Sequence, residues 1–395
     1  MKFVSALAVD FEFEDALKSL IQEMVSQAGD AALDLVVVFT SAHFTQAIPE
    51  IVKDLKSALQ PGLIMGCSAE GVIGREQEVE SAPAIAMVGA RLPGIELTPF
   101  MLQPNSLDWP RLLLDQGEFL RTVAAPEGTQ LFLLLGDPFS TPMDDLLQAF
   151  NAFYPGVPVI GGMASGALRP EGNLLFCNDK LTSRGALGVA LSGLLEVDII
   201  VSQGCRPIWR PFKVSGSRQN QIYNLEGRPP LAWLQDLIPT LPEEDRALLQ
   251  TGLFVGRSVK TEQEVLGRGD FVIRGVLGID QESGAIAIGD SVMDGETIQF
   301  HLRDSFTAQE DLELQLIPQM FRDPAMGGLL FTCNGRGTRL YDRPNGDISV
   351  IQKNANHTPL AGFFCAGEIG PIGGKNYLHA HTATLVLFRQ AALSS

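Results

Sequence analysis

The feature that most constrains this chain is a series of short, unbroken apolar runs bounded by glycine or proline. They span 33–40, 62–66, 84–91, 130–136, 158–162, 185–191 and 197–202. A strand with one wet face alternates apolar and polar residues, whereas unbroken runs of this length suit sheets covered on both faces. Helical patterns lie between the runs. Over 13–28 the apolar residues Phe13, Ala16, Leu17, Leu20, Ile21, Met24 and Val25 recur at three- and four-residue spacing. Segments 46–59 and 143–153 behave likewise, the latter behind the start signal Ser140-Thr141-Pro142. Strands alternating with helices predict an α/β fold with central sheets flanked by helices.

Landmarks also recur in one order. A strand from Asp34 leads through a helix to Gly66-Cys-Ser-Ala-Glu-Gly71 and then to a strand from Ala84. A strand from Gln130 leads to Gly161-Gly-Met-Ala-Ser-Gly166 and then to one from Gly185. The matched pairs Asp34 and Gln130, Gly66 and Gly161, and Ala84 and Gly185 lie 96, 95 and 101 residues apart. A looser third copy runs from Leu329 through Gly362 to Phe388, and its Cys365 and Glu368 repeat the spacing of Cys67 and Glu70. The expectation is an internally repeated strand–helix–strand unit. A polar crossing segment at 205–232 marks a boundary, and 265–301 reads as antiparallel strands with Gly/Asp turns.

Charge and cysteine usage exclude several roles. The net charge is −17 with no basic cluster, so a nucleic-acid backbone would be repelled. Nowhere do about 18 apolar residues run without a charge, so no membrane insertion is expected. The first apolar stretch turns acidic at Asp10, too early for a signal peptide. Five cysteines without a C-x-x-C pair suit a reduced, cytoplasmic compartment. With no G-x-G-x-x-G fingerprint and no P-loop, no cofactor is expected.

The ordered set of turns resembles a known family. Gly66-Cys-Ser-Ala-Glu-Gly71, Ile160-Gly-Gly-Met-Ala-Ser-Gly166 and Gly185-Ala-Leu-Gly-Val-Ala-Leu191 look like the N-terminal FIST module. Tyr223-Asn-Leu-Glu-Gly-Arg-Pro, the stretch Gly327-Gly-Leu-Leu-Phe-Thr-Cys-Asn-Gly-Arg-Gly337, the stretch from Leu360 to Pro371 and the tail Asn376-Tyr-Leu-His-Ala-His-Thr-Ala-Thr384 resemble its C-terminal module. The resemblance implies two α/β domains, 1–210 of the N type with two repeats and 211–395 of the C type. It also implies a sensory module for a small ligand, an amino acid or a related carboxylate. Family members carry the module beside a signalling output or behind an F-box. The flanks here are short for either, so the expectation is a signal passed to a separate partner protein.

Glycine-rich turns at strand C-termini let backbone N–H groups approach a carboxylate. The turns 66–71, 161–166 and 362–373 are therefore expected to converge on one crevice. Its expected ligand-binding residues are Gly66, Cys67, Ser68, Glu70, Gly162, Ser165, Asn334, Arg336, Cys365, Glu368, Asn376, His379 and His381. Arg336 supplies the planar cation for a carboxylate, and Glu70 or Glu368 accepts from an amino group. Two other readings stay open. Cys67 or Cys365 with His379 or His381 would make a cysteine-dependent amide hydrolase. A scaffold that binds only protein would present an apolar patch instead. The pair His379 and His381, on one strand face, would suit a divalent metal if Cys365 or Glu368 joined them, although no metal is expected.

Overall fold

The computed structural model describes residues 1–29, 32–103, 108–260 and 266–390. Contacts divide the chain into two compact units, Met1–Val201 with Leu312–Ser395, and Ser202–Asp311. This division does not follow the expected halves at 1–210 and 211–395. Residues 312–395 pack in the same unit as 1–201 because they complete its sheets.

Three six-stranded sheets with one strand order build the first unit. The first runs Lys2–Val9, Ala84–Arg91, Leu35–Ser41, Leu63–Ala69, Leu175–Cys177, Lys180–Thr182. The second runs Ile95–Leu102, Ala186–Gly193, Thr129–Gly136, Val159–Met163, Glu368–Ile372, Lys375–His379. The third runs Leu195–Ser202, Ala383–Gln390, Gly327–Cys333, Leu360–Cys365, Val72–Gly74, Gln77–Val79. In each, the central third and fourth strands are parallel, and the second lies antiparallel to the third. A parallel pair needs a crossover, supplied by the helices Ile48–Leu59, Met143–Phe153 and Gly346–Asn354.

The last two strands of every sheet form a hairpin taken from another part of the chain. After Leu63–Ala69 the chain leaves the first sheet, and its hairpin pairs with Leu360–Cys365 of the third. After Val159–Met163 the hairpin joins the first sheet at Leu63–Ala69. After Leu360–Cys365 it joins the second at Val159–Met163. The exchange is cyclic, so each sheet is finished by a neighbour.

One position explains the recurring glycine. Gly66, Gly161 and Gly362 occupy the fourth strands, opposite Val38, Leu134 and Leu330 of the parallel neighbours. A Cβ at any of them would run into the carbonyl oxygen of that opposing residue. Close strand approach therefore requires glycine at all three.

The central strands are buried along nearly their whole length, Gln130 being exposed, as their apolar runs imply. Their inner faces share one core, in which Phe39, Phe331 and Phe363 meet with ring centroids 4.8, 5.8 and 6.2 Å apart. Phe13–Ala28 and Ile48–Leu59 cover the outer face of the first sheet, and Gln116–Val123 and Met143–Phe153 that of the second. The second unit is different. Its seven-stranded antiparallel sheet closes on itself where Thr297–Arg303 pairs with Phe254–Ser258, forming a small barrel around Val214, Ile222, Val255, Ile286 and Phe300.

Candidate functional site

Ser165, from the second turn, holds the three turns together. Its hydroxyl accepts a 2.9 Å bond from the Glu70 N–H of the first turn and donates to the Phe364 carbonyl of the third. Gly162 lies directly against the Cys365 sulfur, and Gly166 against the Ser68 hydroxyl. Ser68 in turn accepts from the Leu174 N–H at 3.0 Å, fixing the entry to a donated hairpin. The turns thus meet, but they meet as packed interior rather than as an open crevice.

Most of the expected ligand residues are consumed by that packing. Gly66, Cys67, Ser68, Gly162, Ser165, Arg336, Cys365, Glu368, Asn376 and His379 are all buried. Arg336 is the main correction. Its guanidinium is fully buried and donates through Nε and Nη2 to Asp347 at 2.8 and 2.6 Å. It also donates to the Tyr341 hydroxyl at 2.8 Å and to the His381 carbonyl at 3.2 Å. Asp347 further accepts from Thr332 Oγ1 at 2.8 Å and Tyr341 Oη at 2.6 Å. Burial opposes both charges, yet each holds the other: the carboxylate keeps the guanidinium protonated and the guanidinium holds the carboxyl below its ordinary range. Arg336 is a structural cation with no face to offer a ligand.

The remaining buried polar residues are clips. Glu368 accepts from the Thr382 N–H and hydroxyl at 3.1 and 2.8 Å. Asn376, expected to bind ligand, accepts from the Val159 N–H at 2.8 Å and donates to Asn151 and the Val157 carbonyl at 3.0 Å. His379 Nε2 lies 2.9 Å from the Gly370 carbonyl. The two histidines do not share a strand face: His379 ends its strand, and His381 stands beyond it in a left-handed turn at φ 68°. Among the described residues no three His, Cys, Asp or Glu side chains are placed to hold a metal. The hydrolase reading meets a similar obstacle. Cys67 and Cys365 are fully buried, and burial pushes both thiols well above their ordinary range, with the Glu368 charge adding to the rise at Cys365. Neither supplies a thiolate.

Two expected residues do reach an open surface. Glu70 and Asn334 line a cleft of about 80 Å³ beside the packed turns, with Glu80, Thr338 and Arg339 completing it. Arg339 pairs with Glu70 and donates to the Asn334 carbonyl at 2.6 Å, and its side chain remains 57% exposed. Hydrogen bonding to Glu70 raises the guanidinium further above its ordinary range. Glu80 accepts from the Thr338 N–H and hydroxyl, both at 2.9 Å. The cleft therefore presents one accessible cation between two carboxylates. Arg339 was not singled out by sequence, although it stands only three residues beyond Arg336, in the short helix Thr338–Tyr341.

The FIST N domain matches residues 34–228, and the FIST C domain matches residues 230–371. The chain belongs to the FIST family. FIST domains are associated with sensory signal transduction. Among similar proteins, an uncharacterized protein of Mycobacterium tuberculosis strain H37Rv is 38% identical over 367 residues, covering 91% of this FIST chain and 92% of its own length. An uncharacterized protein of Mycobacterium bovis shows the same identity and coverage. The boundary between the two FIST models, near residue 229, falls inside the second compact unit, so the C-type segment contributes both to the barrel and to the three-sheet unit. No helix among the described residues is long and apolar enough to cross a membrane.

Proposed function

We propose that this FIST protein is a cytoplasmic sensor whose ligand is a small amino acid or related carboxylate, and that it signals through a separate partner protein. The reading rests on the exposed guanidinium of Arg339 standing beside Glu70 in the small cleft. A ligand carboxylate engages Arg339 through the planar two-pronged geometry that guanidinium favours. Its ammonium group is accepted by Glu70 or Glu80, and Asn334 lines the wall. Because Arg339 already holds Glu70, the ligand acts by exchange: its carboxylate replaces Glu70 on the guanidinium and frees Glu70 for the ammonium. The backbone of Glu70 is tied through Ser165 to the third turn, so the exchange is felt at the junction of all three sheets. None of the five buried cysteines forms a disulfide, which suits a reducing compartment.

A thermal-shift screen against amino acids, small carboxylates and nucleotides tests the reading. A ligand at about 100 times its dissociation constant adds roughly 2.7 kcal/mol of stability, a clear rise in melting temperature. The expected result is a response to a small amino acid or carboxylate that disappears in Arg339→Ala. A flat screen, or a response indifferent to Arg339→Ala, would remove the cleft as the ligand site.

A further inference from the structure

A second polar cavity of the three-sheet unit lies elsewhere, and nothing in the sensory reading uses it. It encloses about 630 Å³, within the range of small-molecule sites. One wall is the strand Lys2–Val9, which contributes Ser5, Leu7 and Val9. The opposite rim comes from the hairpin turn at Arg75 and from the loop around His357.

Two rim residues and the neighbouring Asn356 hold unusual backbone conformations. Arg75, Asn356 and His357 have φ of 55°, 52° and 53°, in the left-handed region that residues with a Cβ seldom enter. Such conformations persist where surroundings enforce them, and they gather at functional sites. Here the enforcing group is Gln352, a buried cavity-lining residue whose Nε2 donates to the Arg75 carbonyl and, at 3.2 Å, to the Thr358 carbonyl. The Gln352 carbonyl N-terminal to this loop accepts from the His357 N–H at 3.2 Å. Two segments far apart in sequence are thus locked so that Arg75 and His357 face one space.

Each of those two groups already holds a protein carboxylate. Arg75 pairs with Glu23 at 2.8 Å, and His357 Nδ1 lies 2.7 Å from Glu76. The Arg75, His357 and Glu76 side chains are all more than half exposed, so these pairs are weak and replaceable. We propose that this cavity binds a small dicarboxylate, one end on Arg75 and the other on His357, its carbon chain resting on Leu7 and Val9. The ligand takes the places of Glu23 and Glu76. Displacing Glu23 also frees the helix Phe13–Ala28 from the hairpin turn, a contact that binding would switch off.

The test is isothermal titration of the full-length protein with straight-chain dicarboxylates from malonate to adipate, with acetate as the single-carboxylate control. At least one dicarboxylate should bind saturably and about tenfold or more tightly than acetate. Arg75→Gln and His357→Gln, both at exposed positions, should each weaken it about tenfold or more, while Arg339→Gln leaves it unchanged. The proposal is overturned if no dicarboxylate exceeds acetate, or if binding survives both rim substitutions. Loss of binding in Arg339→Gln alone would overturn it too, because the anion would then sit in the smaller cleft.

Discussion

Arg336 and Arg339 stand three residues apart, yet they belong to two different kinds of place. Arg336 is sealed in a lattice with Asp347, Tyr341 and Thr332. Arg339 lies on the open rim, sharing Glu70 with solvent. Taking charges out of water is costly unless donors and acceptors are matched, and at Arg336 every nitrogen donates to a partner. On the rim the same pairing gains little, because water and salt screen it. The packed centre therefore spends its polar groups on holding three sheets together, and the rim keeps its groups available for exchange. Chemistry of the same type supports architecture in one place and, on the proposed reading, binding in the other.

The widest gap between the two regions should appear in stability. Asp347→Ala strands the buried Arg336 charge and should cost about 3–5 kcal/mol by denaturant unfolding. A cost near zero would show that water reaches Arg336 and would erase the distinction. Gly66→Ala forces a Cβ against the Val38 carbonyl and should cost about 1–3 kcal/mol or more. The equivalent changes at Gly161 and Gly362 should be comparably severe, and one tolerated alanine would break the equivalence of the three sheets. Ser165→Ala leaves the Glu70 N–H without its acceptor and should cost about 1–3 kcal/mol.

A pH titration sharpens the comparison further. Glu78, on a donated hairpin strand, accepts from the N–H groups of Gly346, Asp347 and Ile348 at 2.8–3.0 Å. Burial and the neighbouring Asp347 charge nevertheless push its carboxyl from 4.5 up to about 8. Between those values the folded protein keeps a proton that the unfolded chain releases. This group therefore makes stability fall as pH rises from about 4.5 to 8, the two carboxyl values, and Glu78→Gln should flatten that slope. An unchanged slope would mean the helix N-terminus keeps Glu78 ionised. The smallest expected effect is at the rim: Arg339→Ala should change stability by no more than about 0.5 kcal/mol while abolishing the ligand response.

Part of this arrangement was legible in the residues themselves. The helices Phe13–Ala28 and Met143–Phe153 and the strand Ala84–Arg91 fall where their apolar periodicity or unbroken runs place them. Other elements left a faint signal. Ile95–Leu102 carries Pro99, which argues against a strand except at an edge, and an edge is where it lies. The donated hairpins Val72–Gly74 with Gln77–Val79 and Leu175–Cys177 with Lys180–Thr182 are three-residue strands, too short for a period to emerge. Their partners lie more than a hundred residues away, and no local pattern specifies that pairing.

The site divides in the same way. That the turns containing Glu70, Ser165 and Phe364 meet follows from their common place at the ends of central strands. Which arginine stays accessible does not, because Arg336 is claimed by Asp347, a residue of the following helix. Burial of His379 and the left-handed turn at His381 likewise depend on the hairpin that the chain lends to its second sheet. The fold was readable where a segment's own periodicity decides its structure, and unreadable where a distant segment completes it.

The most direct test of the account is calorimetric titration of the best thermal-shift ligand into wild-type protein, Arg339→Ala and Glu70→Gln side by side. The account predicts saturable binding to wild type, none to Arg339→Ala, and about tenfold weaker binding to Glu70→Gln for any ligand bearing an ammonium group. Binding of equal strength to all three proteins would contradict it, and would place the sensory site away from the rim where the three sheets meet.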